Sequence, residues 1–374
     1  MTSDRDPVII AARRTAIGTR GRALASVRVE DLAAAAIRAA LADAEAAIGA
    51  PIGVAEVLLG NCMGPGGNLG RVAALASGLG MEVPGGTVDR QCGSGLAAVL
   101  DAATAIRAGD ERPRVAGGVE SASTAPVRSI GGVAYDRAPF APAGFADPGM
   151  TRAAEDLAVH DGITRERQDE YAARSHSRAR AALIAGRFDA ELVPLAGLDR
   201  DDAIGAAEPF LSRFPALFDG GTVSAGTATR IGDGAAAVVV APAGAAPGLV
   251  VRAAAVIGCD PALPGIGAAP AIEAALLSAG ATVSDVAAFE IVEAFAAQSL
   301  AVLNRLGLAD DDSRVCADGG ALALGHPWGA SGAVAVVRLF SRLVRTSTPA
   351  GTLGVAAASV GGGLGIAAVL EVAR

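Results

Sequence analysis

Residues 88–100 read VDRQCGSGLAAVL. Cys92 follows the strand-like Thr87-Val88 and precedes an Ala-rich helical stretch, with Gly93 and Gly95 allowing close backbone approach. A thiol at a helix N-terminus meets unpaired N–H groups and the helix dipole, which favour a thiolate. A cysteine that merely packs a core needs no such setting, so the segment points to a nucleophile. A nucleophilic thiol needs a base, and the chain has 3 histidines. His160 and His176 sit among Arg and Glu in helical surroundings and read as solvated surface. His326, in GGALALGHPWGASG (319–332), stands at the head of another helix. A helix-entry histidine can simply bond to backbone. A Cys–His pair far apart in sequence but facing in space suits covalent catalysis. The run SVGGGLG (359–365) places backbone N–H groups, that of Gly361 among them, after a strand. Such a nest can hold an oxyanion, although Gly-rich loops often only turn.

Positioning these residues is the task of alternating strands and Ala-rich helices, the pattern of α/β layers. Strands are expected at 8–12, 54–63 and 114–119, with helices at 29–44 and 93–107. The C-terminal third repeats that order: strand 252–258, helix 269–280, strand 286–295 running into a helix, helix 329–344 and strand 354–360. The two helix starts also match, Cys92-Gly-Ser94-Gly against Gly329-Ala-Ser331-Gly. A repeat this long predicts two similar domains facing each other, each giving one helix start to a shared site. The division expected is residues 1–120 for the first half, completed by about 221–248, and 249–374 for the second. Residues 121–220 break the pattern with a Pro/Gly/Ala-rich stretch and a charged helix at 164–186, and read as an inserted loop domain over the site.

Bulk composition narrows the classes. The 374 residues are 52% hydrophobic and 3% aromatic with 49 Gly, enough for two or three packed modules. All 31 basic residues are arginine and the net charge is −8, which offers no field for nucleic acid. Cys62, Cys92, Cys259 and Cys316 show neither a CxxC pair nor metal-ligand spacing, so no disulfide or metal is expected. The start MTSDRDPVIIAARR lacks a signal-peptide core, and no uncharged run reaches the length of a membrane span. A cytoplasmic protein is the expectation.

Taken together, the motifs resemble the thiolases, the acetyl-CoA acyltransferase family. The likeness runs from ARRTAIG near the start through VDRQCGSG, GGVESAS and GMTRAAEDLA (149–158). It continues in RQDEYAARSHSRARAALIAGRFDAELVPL (167–195), GTVSAGTATRIGDGAAAVVV (221–240), EAFAAQ (293–298), GGALALGHPWGASGA and GGGLGIA. The resemblance implies a duplicated α/β fold of five αβαβα layers with an inserted loop domain. It implies that Cys92 takes the acyl group, that His326 activates it, and that backbone N–H groups of Cys92 and Gly361 polarise the acyl-enzyme carbonyl. Coenzyme A thioesters would be substrates with no separate cofactor, pantetheine passing Met150, Phe295 and the 225–229 loop with Thr229. Assembly would be as a homodimer or homotetramer.

Three departures qualify the likeness. Where the family has an acid/base cysteine before the triple glycine, this chain has Ser359. A hydroxyl is a far weaker acid than a thiol near pKa ~8.5. The family's Asn-Glu-Ala-Phe reads Val292-Glu293-Ala294-Phe295, losing an asparagine that anchors a water in a second oxyanion hole. The pantetheine loop reads Thr227-Ala228-Thr229 in place of Asn-Ala-Ser. The first two fall on carbon–carbon chemistry and leave Cys92 and His326 intact. Thiolysis of a 3-ketoacyl-CoA, or its reverse, therefore stands beside two alternatives: acyl transfer or thioester hydrolysis alone, and non-catalytic acyl-CoA binding. Trp328, where the family usually has leucine, fits either a short or flat acyl group or plain packing.

Overall fold

The computed structural model describes residues 5–205 and 208–374. The leading residues of the segment read for a signal peptide, 1–4, lie outside them.

In the first half, β1 (Pro7–Thr15) and the short β2 (Gly18–Thr19) are followed by α1 (Val29–Ile48), β3 (Val57–Gly60) and α2 (Leu69–Ala76). Next come β4 (Gly85–Val88), α3 (Ser94–Arg107) and β5 (Arg114–Ser121). The inserted segment holds the hairpin β6 (Arg128–Ile130) and β7 (Val133–Tyr135), then α4 (Met150–Asp161), α5 (Arg165–Ile184) and β8 (Leu192–Val193). The chain then returns as β9 (Gly232–Pro242), which lies between β1 and β5. The second half runs β10 (Gly248–Gly258), α6 (Ala268–Ala279), β11 (Val286–Ile291), α7 (Ala296–Leu306), α8 (Ala321–Leu324), α9 (Trp328–Leu343), β12 (Leu353–Val360) and β13 (Leu364–Ala373).

Strand order makes the duplication visible. One path runs β11-β12-β13-β10-β1-β9-β5-β3-β4, and the halves meet where β1 pairs antiparallel with β10. Reading outward from that junction, β10-β13-β12-β11 mirrors β1-β9-β5-β3. Helices α3 and α9 pack against each other and touch strands of both halves, while α1 covers the first half's strands and α6 the second's. The layers are therefore α, β, α, β, α, as the resemblance implies.

Glycine explains how the central helices come so close. A Cβ on Gly95 would lie 2.8 Å from the carbonyl oxygen of Gly329, and one on Gly332 would lie 2.8 Å from Leu96 Cβ. The two helix starts that look alike in sequence, Cys92-Gly-Ser94-Gly and Gly329-Ala-Ser331-Gly, are thus in mutual contact.

A buried charge cluster ties the inserted segment to both halves. Glu191, just before β8, accepts from Arg14 Nε of β1 at 2.7 Å and from Arg338 of α9. Asp201 accepts two further bonds from Arg14 at 2.7 and 2.9 Å, and Asp318 takes the other end of Arg338. Removing one partner of such a cluster strands a charge in the interior. Glu191→Ala is therefore expected to destabilise the fold by about 3–5 kcal/mol, read as a lower denaturation midpoint in guanidinium.

Candidate active site

The cysteine is presented by a strained turn. Gln91 sits at φ 45°, a left-handed conformation uncommon for a residue with a side chain. Ser94 fixes that turn, its hydroxyl donating to the Gln91 carbonyl at 2.6 Å and accepting the Arg90 N–H at 2.7 Å. Cys92 is thereby held just before α3, at the floor of a cavity of about 450 Å3.

His326 arrives from the other half, and its place is fixed through backbone and ring together. Its N–H donates to the Arg230 carbonyl at 2.8 Å, and its carbonyl accepts from Gly232 N–H at 3.3 Å. The ring lies between two partners, with Nε2 3.2 Å from Cys92 Sγ and Nδ1 2.6 Å from Ser331 Oγ. When Nε2 accepts from the thiol, Nδ1 carries the proton and donates to Ser331. The two residues singled out from sequence are therefore in hydrogen-bond contact, although 234 positions apart.

Electrostatics corrects the expected resting state. Burial pushes the Cys92 thiol up to about 12, with the carboxylates of Glu120 and Asp89 adding to the rise against the backbone bond that opposes it. Burial likewise takes the His326 imidazole down to about 4. Desolvation outweighs the helix start, so the pair rests as thiol and neutral imidazole rather than as an ion pair. The thiolate is then made only as the proton moves to Nε2, which is general-base activation.

Of the other residues expected at the site, Met150, Thr229, Phe295, Ser359 and Gly361 all line the same cavity. Gly361 lies beneath Phe140, whose ring a Cβ on the glycine would meet at 2.7 Å; Met150 Sδ would be 3.5 Å away. Phe140 comes from the inserted segment, held by the Arg137–Asp147 ion pair at 2.6 Å and by its own N–H to Asp147 at 3.2 Å. Thr229 sits in the wall with its N–H donating to Ala294 at 3.0 Å and its hydroxyl to Ala321 at 2.5 Å. Ser359 is also committed, its hydroxyl donating to the Gly265 carbonyl at 2.7 Å and accepting the Ala268 N–H at 3.0 Å. Val292 lines a separate internal cavity of about 30 Å3 beside Ser331, Glu290 and Arg338.

Several supporting residues carried no signal of their own in the sequence. Buried Glu120 of β5 accepts backbone N–H groups of Cys62, Met63 and Gly329 at 3.0–3.1 Å, joining the cysteine side to the head of α9. Buried Glu293 accepts from Tyr171 at 2.9 Å and Ser175 at 2.7 Å of α5, and Ser175 Oγ accepts the Gly320 N–H at 3.1 Å ahead of His326. Both glutamates stand in the segments GGVES and VEAF, but only the fold reveals their partners.

One surface assignment is overturned. His160 is exposed and bonded to Asp161, as expected, but His176 is 3% exposed on the inner face of α5. Burial, with a smaller push from Arg230, takes its imidazole down to about 4. A neutral buried histidine must gain a proton to match the unfolded chain. Stability should thus be full above pH ~6.5 and fall as pH drops toward 4, by about 3 kcal/mol for each of His176 and His326. Urea melts at pH 7 and pH 4.5 measure this, and replacing His176 by Gln should flatten part of the slope.

The profile of the thiolase N-terminal domain matches residues 7–244, and that of the thiolase C-terminal domain matches 246–372. An acetyl-CoA acetyltransferase of Cupriavidus necator is 40% identical over 98% of this chain and 99% of its own length. A 3-ketoacyl-CoA thiolase of Aeromonas hydrophila is 39% identical with the same coverages. The crystal structure of the Bacillus anthracis acetyl-CoA acetyltransferase superposes with a TM-score of 0.89 at 34% identity, covering 98% of this chain and 99% of that one. With both domain profiles matched across nearly the full length and the duplicated layers in place, this chain belongs to the thiolase family.

Proposed function

We propose that this protein is an acyl-CoA C-acyltransferase that cleaves 3-ketoacyl-CoA by thiolysis, or runs the reverse condensation, through an acyl group carried on Cys92. The observation that carries this is the 3.2 Å contact between Cys92 Sγ and His326 Nε2 in a cavity of about 450 Å3. His326 takes the thiol proton as sulfur attacks the 3-keto carbon, and the oxyanion forms toward the N–H groups of Cys92 and Gly361. Collapse breaks the C2–C3 bond, leaving acyl-Cys92 and the enolate of a shortened thioester, which must gain a proton. The thiolate of an incoming coenzyme A then attacks acyl-Cys92. His326 returns its proton to the released sulfur.

Coenzyme A is substrate here, and thiol and imidazole supply nucleophile and base without a prosthetic group. Met150, Thr229 and Phe295 wall the path of the pantetheine arm. Trp328 in the cavity wall beside His326 supports a short or flat acyl group. Assembly as a homodimer or homotetramer is supported by β4, an open edge strand near exposed Val72, Leu75 and Met81. A reducing compartment such as the cytoplasm suits a nucleophilic thiol, and all four cysteines are free.

The engaged hydroxyl of Ser359 favours a second reading, acyl transfer or hydrolysis without carbon–carbon cleavage. A thiolysis assay with acetoacetyl-CoA and a longer 3-ketoacyl-CoA separates the two. Release of acetyl-CoA supports the first reading, and Cys92 acylation without it supports the second.

A further inference from the structure

Cys62 is the second thiol of the active-site cavity. It follows β3 by two residues, and its backbone is held at both ends. The N–H donates to Glu120 Oε2 at 3.1 Å, and the carbonyl accepts from Arg128 Nη2 at 2.6 Å. The thiol donates to the Gln91 carbonyl at 3.1 Å and lies 3.7 Å from Ser94 Oγ. The Gln91 carbonyl belongs to the peptide unit that joins Gln91 to Cys92, so Cys62 touches the backbone that carries the nucleophile.

Thiolysis leaves an enolate that must be protonated, and it needs coenzyme A deprotonated afterwards. The Ser359 hydroxyl is a weaker acid than a thiol and is held by two backbone bonds, to Gly265 and Ala268, whereas the Cys62 thiol makes one, to Gln91. His326 by then holds the Cys92 proton, which it must return to that sulfur when the acyl group leaves. The cavity's other ionisable side chains are carboxylates and guanidiniums. The first class has no proton to give at neutral pH, and the second does not release its own. We propose that Cys62 is the proton donor and acceptor at the substrate α-carbon, so that the second catalytic thiol sits after β3 rather than before the triple glycine.

This inference rests on the thiolysis reading, and its steps balance. Cys62 S–H gives its proton to C2 of the enolate, forming neutral acetyl-CoA and a Cys62 thiolate. That thiolate takes the proton of the incoming coenzyme A, restoring Cys62 S–H and freeing the coenzyme A thiolate to attack acyl-Cys92. Burial, followed by the Glu120 carboxylate, pushes the Cys62 thiol well above its ordinary range. The shift keeps the thiol protonated before reaction and makes the thiolate left behind a stronger base toward the incoming coenzyme A thiol.

The test compares wild type, Cys62→Ala, Cys62→Ser and Cys259→Ala, the last lying outside the cavity. Three readouts are used: thiolysis of acetoacetyl-CoA, exchange of acetyl-CoA methyl hydrogens with D2O, and mass-detected acylation of Cys92. Both Cys62 variants should lose thiolysis and exchange by about 10²-fold, the serine variant showing that shape alone does not restore them. Continued acyl uptake on Cys92 and an unchanged thermal midpoint report an intact fold, and Cys259→Ala should match wild type. Wild-type exchange in Cys62→Ala overturns the inference, as does exchange that vanishes in Ser359→Ala while Cys62→Ala retains it. A wild type that acylates Cys92 yet cleaves no 3-ketoacyl-CoA overturns the thiolysis reading, and this inference with it.

Discussion

Cys92→Ala is expected to lose thiolysis by about 10⁴-fold or more, the scale on which deleting a covalent nucleophile acts in other enzymes. The argument is geometric. Among the described residues no other cysteine is bonded to a histidine: Cys62 donates to a carbonyl, Cys316 is buried against the Ile291 carbonyl at 3.4 Å, and Cys259 lies outside the cavity. Alanine keeps the strained turn at Gln91, because Ser94 and not the thiol pins it. The variant should therefore fold normally and still bind acyl-CoA. Steady-state thiolysis beside a binding measurement checks both halves of the statement.

His326→Ala should slow acylation by about 10²–10⁴-fold, the usual value of a positioned general base. The effect is large because the thiol rests protonated. With Cys92 pushed up to about 12, almost no thiolate exists at neutral pH unless a base removes the proton during attack. The sign of the pH dependence follows from His326, whose imidazole is held down at about 4 by burial. The base form is present above that value and lost below it. Wild-type acylation should be flat from pH ~5 to 8 and fall toward pH 4, whereas the alanine variant should rise with pH across the neutral range as rare thiolate takes over. Rapid-mix acylation kinetics over that range read both profiles.

Much of the frame was legible because periodicity and punctuation agree with the fold. Strands at 8–12 and 114–119 and helices at 29–44, 93–107 and 329–344 all appear, with no end displaced by more than four residues. Strand β9 and strand β13 were quoted in motifs but not assigned as strands, since long Ala/Val runs fit buried strand and buried helix alike. Helix α2 is only eight residues long and follows a Gly-rich turn, so its apolar period is brief; its one start signal is the N-cap Asn68, whose side chain accepts the Arg71 N–H.

At the site, residue type and position in the repeat sufficed to pair Cys92 with His326. What they could not convey was dielectric. The helix start promised a thiolate, and burial removed it. The same blindness placed His176 at the surface, because its neighbours along the chain are charged while its face of α5 is buried. Side-chain direction was equally hidden: Val292 faces the small cavity behind Ser331, and Ser359 turns to the backbone of Gly265 and Ala268. Ser331 is the instructive case. Its kinship with Ser94 is visible in the shared Ser-Gly at the two helix starts, yet one serine fixes the cysteine turn and the other holds the histidine ring.

The most direct test of the account is the mass of the acyl-enzyme. Wild-type protein incubated briefly with acetoacetyl-CoA, quenched in acid and digested, should carry an acetyl group on the peptide containing Cys92, removable by hydroxylamine and absent in Cys92→Ala. An acetyl group found instead on Cys62, Cys259 or Cys316, or a protein that turns over substrate with no acyl group on any cysteine, would contradict it.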